Sequence, residues 1–85
     1  MERIMPLNEM QINELKTFKT STDHKPFRIL ANGRAVNLST GVLSTKQSNI
    51  IHHPVYWDRP RTFARQAKEF LETNNPGIKF RITYH

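Results

Sequence analysis

The sequence contains no cysteine, which removes disulfides, thiolate nucleophiles and cysteine-ligated zinc from consideration. It is short of acid: seven Asp and Glu stand against thirteen Lys and Arg, a net charge of +6. Glycine occurs only as Gly33, Gly41 and Gly77. These form no phosphate-cradling loop, and neither a P-loop nor a G-x-S-x-G elbow is present. No apolar run approaches the roughly 20 residues that a membrane span requires. The first residues lack the apolar core of a secretory leader, so a cytoplasmic location is the expectation. Apolar residues make up 36% of the 85, low for a globular domain but above the level at which chains stay unfolded. Nearly every large apolar side chain must then enter one core, which leaves little to wall a deep active site. Residues 1–85 are expected to form a single domain with 1–7 as a lead-in, a binding module rather than an enzyme, with no cofactor and no metal.

What is present reads as a small α+β fold. Asn8 is placed to cap a helix, with Gln11 at capping-box spacing and Leu7 and Ile12 flanking it as a staple. That helix is expected from Glu9 to about Phe18, burying Met10, Leu15 and Phe18. Asn32-Gly33 lies between two apolar-rich runs and meets the positive-φ demand of a type I′ turn at low cost. A two-residue loop fixes the register, setting Ala31 opposite Arg34, Leu30 opposite Ala35 and Ile29 opposite Val36. Carried further, Arg28 faces Asn37 and Phe27 faces Leu38. Ser39-Thr40-Gly41 turns the chain again, and Val42-Leu43 begins a candidate third strand. From Lys46 to Trp57 the pattern suits an edge strand or an ordered loop, because Pro54 forbids a central ladder position.

A second helix is expected after Asp58, read as its N-cap, with Pro60 in the first turn. Phe63, Ala64, Ala67, Phe70 and Leu71 form its apolar stripe, and Arg65–Glu69 and Lys68–Glu72 are spaced for i,i+4 pairing. Asn74-Asn75-Pro76-Gly77 stops it. Ile78, Phe80, Ile82 and Tyr84 then alternate with Lys79, Arg81 and Thr83, the period of a half-buried strand. The order is α-β-β-(β)-α-β: a small, mostly antiparallel sheet of three or four strands with two helices on one face.

If both helices cover one side, the other presents Arg28, Asn37, Lys79, Arg81 and Thr83, with Leu30 and Ala35 between them. Arg34 sits at the hairpin tip, and Arg59, Arg61 and Arg65 cluster where the second helix begins. Cations on an open sheet and at a helix N-terminus suit the phosphates of DNA or RNA. The same charge also serves solubility and discourages strand pairing. No aromatic pair for base stacking is assigned to that face.

Two other readings use different residues. Tyr56 and Trp57, beside Pro54, suit the anchor of a small inhibitor or adaptor docking on a larger host protein, a role found among phage and mobile-element products. An acidic partner surface could equally use the cations. A phosphodiesterase or nuclease would need His52, His53 or His85, with Arg59 and Tyr56 in support. The histidines, His24 included, match no familiar metal-ligand spacing even with Asp58 added. A homodimer could form through an exposed edge at Val42–Ser44 or Lys79–Thr83. The order α-β-β-β-α and the stretch Arg61-Thr62-Phe63-Ala64-Arg65-Gln66-Ala67-Lys68 loosely resemble a double-stranded RNA-binding domain. Asp58-Arg59-Pro60 and the strand after the helix depart from that pattern, and no family is assigned from it.

Overall fold

A computed structural model of the chain describes residues 3–18, 24–44 and 57–84. The elements follow the expected order: α1 (Glu9–Leu15), β1 (His24–Ala31), β2 (Arg34–Ala35), β3 (Trp57–Pro60), α2 (Arg61–Asn74) and β4 (Phe80–Tyr84). The four strands form one sheet in which β1 is the common partner, antiparallel to β2, β3 and β4 alike. The largest set of pairs joins Phe27–Ala31 of β1 to Tyr84–Phe80 of β4, and His24–Phe27 pairs with Pro60–Trp57 of β3. Among the described residues Pro26 has a ladder neighbour in β3 alone, and its missing N–H costs the ladder little.

The hairpin forms as its turn residues dictate. Asn32 and Gly33 both take positive φ, 53° and 80°, and the pairs Ala31–Arg34 and Leu30–Ala35 are made. Val36 N–H still donates to Ile29 O at 2.9 Å, but the ladder then stops. Asn37 turns its side-chain oxygen to the N–H groups of Ser39 and Thr40, so the expected pairs Arg28–Asn37 and Phe27–Leu38 do not form. Trp57 takes the place opposite Phe27 instead. The candidate strand at Val42-Leu43 is reduced to two bridges, Val42 with Arg3 and Leu43 with Val36.

Phe27, Ile29 and Ala31 on β1 point with Phe80 of β4 into the core, where Phe63, Ala64, Ala67 and Leu71 of α2 meet them. The stripe read from the sequence is thus the packed stripe, with Phe70 at its margin. Lys68 and Glu72 close their ion pair at 3.2 Å. Asp58 is not the cap of α2: residues 57–60 are extended and paired with β1, so the helix begins only after Pro60, without a side-chain cap.

α1 carries the full capping box, Gln11 N–H to Asn8 Oδ1 at 2.8 Å and Asn8 N–H to Gln11 Oε1 at 2.9 Å. It packs against α2. Leu15 is buried and Ile12 and Phe18 lie against the core, but Met10 is 81% exposed. The reason is angular: Met10 sits about 140° around a 3.6-residue helix from Leu15, whereas Ile12 lies within about 60°. No helix among the described residues is long and apolar enough to cross a membrane.

Candidate functional site

The cations singled out in the sequence separate into distinct groups. In the ladder, Arg28 stands opposite Thr83 and Leu30 opposite Arg81, and these alternate with the core-facing positions. Arg28 and Arg81 therefore project from the face that α2 does not cover, and Lys79 immediately precedes β4. Cross-strand geometry brings Arg28 and Arg81, diagonal neighbours, to about 7–8 Å. Lys79 and Arg81 are exposed, while Arg28 is half-buried with its Nε buried. This face is open toward β4 but not toward the hairpin, where Ala35 is only 4% exposed.

A second group comes from α2. The turn at Asn75–Lys79 sends β4 back along the helix, and the Arg61 guanidinium lies over the Tyr84 ring at 5.4 Å. Arg65 follows one turn later on the same helical stripe, and both arginines are exposed. Among the described residues β4 pairs with β1 alone. Its outer edge is thus bordered by Lys79 and Arg81 on one side of the sheet and by Arg61 and Arg65 on the other.

Three expected members fall outside this arrangement. Asn37 is occupied by its own turn. Arg34 stands opposite Ala31, on the core side, and its Nε donates to Ser44 O at 2.9 Å. Arg59 alternates with Asp58 and so points to the helix side with Trp57; its guanidinium lies 6.0 Å from the Phe63 ring. The period-two rule that unites Lys79 and Arg81 separates Arg59 from them, and only the pairing partner of residues 57–60 reveals it.

Trp57 is built into the fold. It pairs with Phe27 and stacks on Phe63, ring centroids 6.4 Å apart and 28° between planes, and its buried Nε1 meets no acceptor among the described residues. Tyr56, His52, His53 and His85 lie outside the described residues, and of His24 only the backbone is placed, at the start of β1. The arrangement suited to phosphodiester chemistry is therefore not assembled from described residues.

The sequence signals also missed an apolar hollow on the helix side. Leu7, Ile12, Leu15, Phe18, Leu38, Trp57 and Phe63 line it, with Lys16, Arg59 and Ser39 among them, and it holds about 310 Å³. It lies between α1, the Leu38-Ser39 turn, Trp57 and Arg59 of β3 and Phe63 of α2. The chain matches no protein-family model, no curated protein and no solved structure.

Proposed function

We propose that the protein is a non-enzymatic module that binds the phosphate backbone of a nucleic acid along the outer edge of β4. The observation that supports this is the double border of that edge: Lys79 and Arg81 with Arg28 behind them on one side, Arg61 and Arg65 on the other. A strand edge flanked by cations offers both charge and backbone donors to a phosphate chain passing along it. The stacking of Arg61 on Tyr84 holds one guanidinium at the strand end, which lessens the ordering cost of a contact there. The Trp57 anchor of the protein-docking reading is largely committed to the core, so the charge-based reading has more behind it.

Titration of fluorescent DNA and RNA at several salt concentrations tests the proposal. Five phosphate contacts give a slope of log K against log salt of about −4.5 on duplex DNA. Arg65→Gln and Arg81→Gln each reduce that slope by about one and weaken binding evenly across sequences, whereas Arg59→Gln does not change it. Failure to bind at low salt, or a slope indifferent to Arg65 and Arg81, rejects the proposal.

A further inference from the structure

The helix-side hollow carries a separate inference, independent of the phosphate-binding reading because it uses other residues. Its walls are aliphatic and aromatic, the Trp57–Phe63 stack among them, and its volume of about 310 Å³ lies at the small end of the range for ligand pockets. Its polar groups are one-sided. Lys16 and Arg59 line it, and no carboxylate does among the described residues.

The second observation concerns the sheet beside it. Lys25 stands directly opposite Arg59 in the β1–β3 ladder, where paired Cβ atoms are about 4.5–5.5 Å apart and like charges repel. Each lies two residues from a core-side position in its own strand, Lys25 from Phe27 and Arg59 from Trp57, so both share that face and project on the helix side. Neither they nor Lys16 form an ion pair among the described residues. Two cations thus line an apolar hollow and Lys25 stands in the sheet beside one of them, with no carboxylate among the described lining residues, an arrangement that an anion relieves and a neutral ligand does not.

We propose that this hollow is a binding site for a small carboxylate with an apolar body, the body lying against Trp57, Phe63 and Leu15 and the carboxylate meeting Arg59 and Lys16. Arg supplies two parallel N–H donors to a carboxylate, so Arg59 fixes the orientation and Lys16 adds charge.

Trp57 is the sole tryptophan, and its emission reports directly on this wall. The full chain is titrated with octanoate, octanol, octylammonium and inorganic phosphate, following Trp57 emission and the thermal midpoint. Octanoate is expected to change the emission saturably in the low-millimolar range or below and to raise the midpoint by mass action. Octanol should bind roughly tenfold or more weakly, and octylammonium and phosphate should leave both signals unchanged. Lys16→Gln and Arg59→Gln should each weaken octanoate severalfold and leave octanol as it was. The proposal is overturned by the absence of a saturable response to octanoate, by equal binding of octylammonium, by a response to phosphate alone, or by octanoate binding indifferent to both substitutions.

Discussion

Asn75 does more than end a helix. It is buried, takes the N–H of Met5 on its Oδ1 at 2.8 Å, and donates from Nδ2 to the carbonyls of Met5 and Leu71, both at 2.9 Å. Asn74 beside it exchanges two hydrogen bonds with the Gln11 side chain and donates a third to Pro6 O. The pair ties the N-terminal segment and α1 to the end of α2, across some 63 to 70 residues of sequence. Asn75→Ala removes two partly buried hydrogen bonds to the Met5 backbone and the buried one to Leu71 O and should cost about 2–4 kcal/mol, measured by urea unfolding. Asn74→Ala should cost only about 1 kcal/mol, since Asn74 is half-buried and water can replace its bonds. The reverse order would refute the staple. The sequence announces both asparagines as a stop signal, but a long-range hydrogen bond leaves no mark on local spacing.

Among the elements, legibility follows locality. The Asn32-Gly33 hairpin, the α2 stripe and the alternation of β4 depend on neighbours within a few residues, and each appears where its pattern lies. β3 depends on a partner some 30 residues away, so Asp58 reads as a helix cap until the pairing of Pro26 with Asp58 is known. Gly41 shows the same dependence. It has φ of 76° and accepts the Ile4 N–H on its carbonyl at 2.8 Å, and a Cβ there would run into the Ile4 carbonyl oxygen. Gly33 has φ of 80° and open space around it. Gly33→Ala should therefore cost about 1 kcal/mol, the conformational penalty alone. Gly41→Ala should cost at least about 3 kcal/mol, because the lead-in segment at Ile4 must also move. Equal losses in chemical denaturation would show that the contact with Ile4 contributes nothing.

Across the whole molecule the positive charge is not gathered on one face. Register places Arg81 and Arg28 below the sheet, with Lys79 just before β4, and turns Lys25 and Arg59 above it, while α2 carries Arg61 and Arg65 over the β4 edge. The expectation of a single basic sheet face is thus replaced by two basic borders of one strand and a separate cationic cluster beside the hollow. Like charges held this close oppose the compact state. Raising ionic strength from low to physiological values should therefore stabilise the fold by about 0.5–1 kcal/mol, as the screening length falls to roughly 8 Å. Urea unfolding in sodium chloride checks this, and a loss of stability with salt would mean that attractive pairs dominate instead.

The sequence by itself determined the element order, the hairpin register near its turn, the buried stripe of α2 and the alternating faces of β4. Each of these is fixed by backbone preference and by apolar periodicity within a short window. Only the tertiary structure decided which strand lies beside β1, and with it the side of the sheet from which each cation projects. A one-residue difference in pairing reverses every side chain of a strand, and for β3 that choice is made by contacts far away along the chain.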